Sequence, residues 1–134
     1  MTDLTVIEGI GPAYAERLVS AGVSSCAELL ANGASRAGRA QLSAASGMSG
    51  TLILKFVNHA DLCRVQGIAG EYAELLEAAG VDSVPALAQR DAGNLVLKLR
   101  QVNERKRLVR TLPGESSVSA WVEQAKLLPR VVFH

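Results

Sequence analysis

Aromatic residues are scarce in this sequence, since one Trp, two Tyr and two Phe make up only 4% of 134 residues, although 49% are hydrophobic. A core built from this chain must therefore consist mainly of Ala, Leu and Val, which favours closely packed helices over a sheet. The hydrophobic share also excludes a disordered chain. We expect an all-α protein whose length fits one compact domain or two very small units.

The sequence also gives little indication of a membrane span, of an oxidising compartment or of a strongly charged partner. Fourteen Lys and Arg balance thirteen Asp and Glu to a net charge of +1, so the overall charge indicates no nucleic-acid or membrane partner. No apolar run approaches the ~20 residues of a membrane span, and Asp3 stands where a signal peptide would carry a basic region. Cys26 and Cys63 form no CxxC pair, which suits a reducing compartment. These features predict a cytoplasmic protein.

The chain contains an internal repeat. Residues 9–30 and 67–88 are identical at eleven of 22 aligned positions, and the alignment resumes further on after seven extra residues in the second copy. We therefore divide the chain into a first unit, 1–64, and a second unit, 65–134. Each unit is marginal in size, so we predict that the two share one core and that a fragment 1–64 shows no cooperative thermal transition.

Proline, glycine and serine positions predict where the helices begin and end. Pro12 suits a first helical turn, and Gly22 and Gly80 suit left-handed helix ends. Ser25 and Glu28 have the spacing of a capping box. The predicted first-unit helices begin at Pro12, Ser25, Ser35 and Thr51 and end at Gly22, Gly33, Gly47 and Leu62. Those of the second unit lie near 71–79, 83–90, 93–106 and 117–128.

The segment Ile7–Leu18, followed by Ala21-Gly22-Val23, resembles a helix-hairpin-helix motif. Two glycines permit a sharp turn, Ile10 is buried beneath it, and the next helix turns its positive end outward, where a phosphate can bind. Over nearly all its length the chain resembles an uncharacterised bacterial family, a domain of unknown function with duplicated helix-hairpin-helix motifs. The markers are the sequences GIGPAYAERL and GEYAELLEAAGV and the segments 121–125 and 128–131.

This resemblance implies a non-enzymatic protein that binds DNA without reading its sequence. In the motif, backbone amides hold DNA phosphates, and hairpin carbonyls sometimes hold a monovalent cation; no other cofactor is implied. The residues that we expect in the interface are Gly9, Ile10, Gly11, Gly67, Ile68, Ala69 and Gly70 in the hairpins, and Arg36, Arg39, Arg105, Lys106 and Arg107 in the basic segments.

Departures from the motif favour a second hypothesis. Ala13 and Glu71 stand where a phosphate-binding hairpin carries Lys or Arg, and Ala69 replaces the second glycine. The hairpin half of each unit is acidic and the other half is basic, so an acidic surface opposes phosphate binding there. The alternative is a protein-interaction or scaffold module that has lost phosphate binding and either associates with itself through its opposite charges or binds a protein partner. The basic segments are also explained as solvated helix faces.

Other residues suggest neither a metal site nor catalysis. His59 and Cys63 lie four apart on a predicted helix, but two ligands are too few for a metal, so we expect a partly buried pair. Tyr14 and Tyr72 are equivalent, which favours core packing over stacking on a base. No nucleophile or nucleotide motif occurs, and nothing near Lys55 suggests an activated amine, so we expect no enzyme.

Overall fold

The computed structural model describes residues 4–134, which fold entirely into helices and connecting segments, without a strand. The all-α prediction is confirmed, and the apolar end of the chain is not extended into a sheet. A 3-10 helix, Leu4–Val6, precedes eight α-helices: α1 (Pro12–Ser20), α2 (Cys26–Gly33), α3 (Arg36–Ser46), α4 (Gly50–Leu62), α5 (Gly70–Ala78), α6 (Val84–Ala88), α7 (Ala92–Lys106) and α8 (Glu115–Leu127).

Most helices begin where a side chain caps the first turn. The Ser25 hydroxyl accepts from the Glu28 N–H at 3.2 Å, as predicted. The Glu28 carboxylate, however, accepts from the N–H of Ser24 rather than from that of Ser25, so the capping box is shifted by one residue. Four further caps accept a backbone N–H at the starts of α3, α4, α6 and α7: Ser35, Ser49, Ser83 and Asp91.

Left-handed glycines follow α1 and α5. Gly22 has φ +92° and Gly80 has φ +94°, as predicted for helix ends. The chain then reverses, and the next residue bonds back to the helix: the Val23 N–H donates to the Leu18 carbonyl at 2.8 Å, and the Val81 N–H donates to the Leu76 carbonyl at 2.9 Å. Both turns therefore end in the same hydrogen-bonded form.

The first compact unit comprises the described residues up to Asp61 together with Val131–His134. Its core is aliphatic around one ring, since Phe56 is 1% exposed. The Tyr14 and Phe56 ring centroids lie 5.9 Å apart, which confirms the packing role predicted for Tyr14. The apolar tail belongs to this core, because Val132 is buried among its residues. The largest fully buried side chains of this core are Leu4, Ile7, Leu18, Leu29, Ile53 and Phe56.

The second compact unit is Leu62–Arg130. In it α8 packs against α6 and α7, and α7 packs against α5. Trp121 of α8 is buried, and its ring centroid lies 5.4 Å from that of Tyr72. Each unit thus encloses a hydrophobic cluster with one aromatic pair. The predicted sharing of a single core by both units stays a prediction.

Candidate nucleic-acid interface

The first of the two turns that the sequence predicts as hairpins lies between the 3-10 helix and α1. The Ile7 N–H donates to the Leu4 carbonyl, and the Ile10 N–H donates to the Ile7 carbonyl, both at 3.1 Å. Gly9 has φ +91°, which is why this position favours glycine. Ile10 is buried below the turn, whereas Gly9 and Gly11 are exposed on its outer side. At Gly9 and Gly11 the turn therefore presents backbone to solvent.

The second hairpin turn has the same hydrogen bonds at the equivalent positions. The Val65 N–H donates to the Leu62 carbonyl, and the Ile68 N–H donates to the Val65 carbonyl, both at 3.1 Å. Gly67 has φ +97°. Ile68 and Gly70 are buried, and Gly67 and Ala69 are exposed. Ala69 has φ −102°, a conformation open to any residue, so the loss of the second glycine causes no strain at this position.

The helices that follow these turns begin without a side-chain cap. Gly11 and Ala69 are the N-cap residues of α1 and α5, and neither helix start has a side-chain hydrogen bond. α8, which begins after Gly114, also lacks one, whereas the other five helices are capped by Ser or Asp. Uncapped first-turn N–H groups, together with the positive end of the helix dipole, can bind an anion.

Acidic side chains lie near both hairpins, but they differ in position. Glu71 occupies the first turn of α5, whereas the first turn of α1 contains no acidic residue. Glu8 precedes Gly9 and is exposed. Because a carboxylate in the first turn competes with an incoming phosphate, the start of α1 offers an anion a more favourable environment than the start of α5.

The structure places Arg39 inside the first unit. Its side chain is 7% exposed, and its guanidinium donates to the carbonyls of Gly33, Ala34 and Phe133 at 2.9, 3.2 and 3.0 Å. Burial lowers the pKa of Arg39, and the positive charge of Arg36 adds to this effect. Since Arg39 holds the backbone of its own unit, we leave it out of the proposed interface.

Arg36 lies beside Arg39 but remains exposed. Its Nε donates to the backbone carbonyl of His134. The His134 ring in turn lies with Nε2 2.8 Å from Oδ1 of Asn58, and the Phe133 N–H donates to the Ala34 carbonyl at 2.8 Å. The two arginines therefore both fix the segment Val131–His134, a contact that the sequence did not predict.

The second unit carries an exposed group of cations that we call the basic loop: Arg105, Lys106, Arg107 and Arg110, at and beyond the end of α7. All four are exposed. Arg107 ends α7 in the left-handed conformation, with φ +49°. In the part of the chain that the structure describes, these side chains form no ion pair or hydrogen bond. Their charges are therefore available to an external anion.

Two side chains fix the backbone of the basic loop. Asn103 donates to the Val109 carbonyl at 3.1 Å and accepts from the Val109 N–H at 3.0 Å. The Tyr72 hydroxyl donates to the Thr111 carbonyl at 3.0 Å. Since Tyr72 is in the first turn of α5, this bond brings the end of the loop to the start of the second hairpin helix. Neither contact was predicted. The only sign in the sequence that this segment differs from its counterpart in the first unit was the seven extra residues of the second unit.

A further unpredicted contact holds the second hairpin. The Gln124 side chain of α8 accepts from the Gln66 N–H at 3.0 Å and donates to the Gln66 carbonyl at 3.3 Å. Gln66 directly precedes Gly67, so one amide satisfies both backbone groups at the entry to the turn. The partners are 58 residues apart, and no local pattern marks such a pair.

The remaining candidate residues do not form a site. His59 is buried, and Cys63 is half-buried against the core of the second unit. Among residues 4–134 no three His, Cys, Asp or Glu side chains are grouped to hold a metal ion. Over the same residues, no helix has both the length and the apolar character to cross a membrane.

Comparisons with known proteins identify a family without an assigned role. No curated protein and no solved structure matches the chain. A family model described as "Domain of unknown function (DUF4332)" matches residues 8–128 and so covers both hairpins, the basic loop and α8. The chain therefore belongs to this family of domains of unknown function.

Proposed function

We propose that this is a non-enzymatic protein that binds the DNA backbone without reading base sequence, through two helix-hairpin-helix units. The observation that carries the proposal is the pair of uncapped helix starts, at Gly11 and Ala69, that follow hairpin turns of the same geometry. Backbone N–H groups in such a position can hold phosphate oxygens but cannot distinguish one base from another.

Matching backbone geometry supports the assignment of two helix-hairpin-helix units. Gly9 and Gly67 have φ values of +91° and +97°, and Gly22 and Gly80 have values of +92° and +94°. Hydrogen bonds recur at equivalent positions on both sides of each turn. Each hairpin also lies above one buried aromatic ring, since an added Cβ would contact Phe56 at Gly9 and Trp121 at Gly67.

The hairpins and the basic loop contribute different electrostatic interactions to the proposed binding. The hairpin amides provide short-range contacts, whereas long-range attraction must come from exposed cations, because the hairpin halves carry acidic residues. The basic loop supplies such cations in the second unit, and Arg36 supplies one in the first. Affinity is expected to be modest and to fall steeply with salt concentration.

The proposal is tested by giving the uncapped helices an internal anion. In Gly11→Asp and Ala69→Asp the new carboxylate caps the first turn and occupies the amides that a phosphate would use. A Cβ at Gly11 meets no heavy atom within 4 Å, so the substitution fits. We expect both variants to melt at or above the temperature of the wild type but to bind labelled duplex DNA several-fold more weakly.

Gly11→Ala is the matched control, because it adds a Cβ without a carboxylate. It should bind DNA like the wild type. Unchanged DNA affinity in the Gly11→Asp, Ala69→Asp double variant, or a wild type that does not bind DNA at low salt, contradicts the proposal.

A protein-interaction module is the second candidate. It is favoured by Glu71 in the first turn of α5 and by exposed apolar side chains, of which Leu127 is 86% and Val19 is 55% exposed. If this candidate is correct, the fluorescence anisotropy of labelled DNA does not change as protein is added at 50 mM salt. Leu127→Ser or Val19→Ser then reduces association of the protein with itself or with a protein partner. Sedimentation velocity measures self-association directly.

A further inference from the structure

We propose that the basic loop is a preorganised binding site for the nucleic-acid backbone and that Asn103 is its positioning residue. The inference rests on the proposed function and deepens it, because it places the cationic contacts on one segment of the second unit. Three observations carry it: the backbone conformation of Arg107, the side-chain contacts that hold the loop, and the unpaired cations on it.

Arg107 adopts a conformation that disfavours its side chain. It has φ +49° and is the one non-glycine residue with positive φ among residues 4–134. At the end of a helix this position usually carries glycine, which has no Cβ to clash with its own backbone. An arginine here lowers stability relative to glycine, and its side chain is exposed and forms no compensating hydrogen bond or ion pair with any residue of 4–134. Backbone strain that no hydrogen bond or ion pair of the side chain offsets points to a functional role for that side chain.

The loop is held at both ends in spite of its exposure. Asn103 forms two hydrogen bonds with the backbone of Val109, one in each direction. Val109 is itself buried, and Tyr72 holds the Thr111 carbonyl two residues later. Arg110 lies between these fixed points, so its Cα position is set by both. A cation on a fixed backbone loses less entropy on binding than one on a mobile loop.

The chemistry of the loop fits phosphate groups. Four cations and one acid, Glu104, lie within residues 103–111, a net charge of +3. Three of the cations are arginines, whose planar fork can bind two phosphate oxygens at once. Glu104 is exposed and forms no ion pair with them in the described part of the chain. A polyanion with regularly spaced charges is the partner that can bind several of these guanidinium groups at once.

Arg107→Gly tests the loop without risk to the fold. Glycine relieves the strained conformation and removes one cation, so we expect a higher thermal midpoint together with weaker binding of duplex DNA. Each lost phosphate contact reduces the magnitude of the slope of log K against log salt by about 0.9. Between 50 and 200 mM salt the affinity of the variant should therefore fall about threefold less than that of the wild type. A purely structural Arg107 would give the higher midpoint alone.

Lys98→Ala is the charge-matched control. Lys98 is exposed on the same helix and outside the basic loop, so its loss should leave the salt slope within experimental error. Equal effects of Arg107→Gly and Lys98→Ala would show that only net charge matters and would overturn the proposed loop site.

Asn103→Ala tests positioning, because it changes no charge. We expect DNA affinity to fall about threefold or more and the salt slope to become shallower, since the loop cations no longer contact phosphates together. Gln101→Ala, an exposed amide on the same helix, should bind like the wild type. If Asn103→Ala lowers the thermal midpoint but keeps the wild-type salt slope, Asn103 is structural only and this role is refuted.

The two proposals fail in different ways. A wild type that does not bind DNA at 50 mM salt overturns both. A wild type that binds, is weakened by Gly11→Asp and Ala69→Asp, and is unaffected by Arg107→Gly and Asn103→Ala retains the proposed function and loses the basic-loop site.

Discussion

Gly67 lies directly against the indole of Trp121. A Cβ on Gly67 would be 2.9 Å from Nε1 of this ring, closer than real side chains approach. In the first unit a Cβ on Gly9 would lie 3.4 Å from Cε1 of Phe56, a tolerable contact. The larger ring of the second unit thus leaves less room beneath its hairpin, so the glycine there is required for two reasons, conformation and space.

Gly67→Ala should therefore destabilise the second unit more than a left-handed conformation alone explains. Gly80 has nearly the same φ, +94° against +97°, but nothing within 4 Å of an added Cβ. We expect Gly80→Ala to cost about 1–2 kcal/mol and Gly67→Ala about 1–3 kcal/mol more, because Trp121 must move. Urea unfolding followed by tryptophan fluorescence measures both. Equal losses would show that the ring is not a constraint.

Arg39→Met should destabilise the first unit, because it removes the hydrogen bonds that the Arg39 guanidinium donates to backbone carbonyls. Three backbone carbonyls lose a charged donor, and that of Gly33 is buried, which we expect to cost about 2–4 kcal/mol of unfolding free energy. Arg36→Met is the matched control, since Arg36 is exposed and its one bond to His134 should contribute less than about 1 kcal/mol. Denaturant unfolding monitored by circular dichroism distinguishes the two, and equal small losses would refute a structural role for Arg39.

Glu28 should make stability depend on pH. The Ser24 hydroxyl, and then the Ser24 N–H, lower the pKa of Glu28 from its ordinary value of 4.5. A carboxylate with a lowered pKa in the folded state stabilises the fold above its unfolded pKa, and this contribution disappears as pH falls through the folded pKa. The difference in unfolding free energy between the wild type and Glu28→Gln should thus be constant near pH 7 and shrink below pH 4.5. A difference that does not vary between pH 7 and pH 3 would contradict this.

The sequence predicted the helices well because their ends are local. Pro12, Ser25, Ser35 and Gly47 act on the turn in which they occur, and the structure places α1, α2 and α3 within two residues of the predicted bounds. The second unit follows the same rules, although α6 is shorter than predicted because it already ends at Ala88. The repeat also predicted that Tyr14 and Tyr72 pack on the core in equivalent ways, and each does pack against a buried ring, Phe56 and Trp121 respectively.

Contacts between distant residues could not be predicted in the same way. The sequence does not distinguish Arg39 from the other helical arginines, because the tail residue to which it donates lies 94 positions away. Gln124 and Gln66 pair across 58 residues without any charge or hydrophobic pattern. Asn103 acts through backbone groups six residues away, and any residue except proline at position 109 would offer the same groups. A single sequence does not reveal such partners.

Binding of the full chain to labelled duplex DNA, followed by fluorescence anisotropy at 50 and 200 mM salt, tests the central claim most directly. We expect saturable binding at 50 mM salt that weakens at least tenfold at 200 mM and does not depend on base sequence, since amides and cations contact phosphates only. Absence of binding at 50 mM salt, or binding that is strong only for one base sequence, would contradict a backbone-binding role for the hairpins.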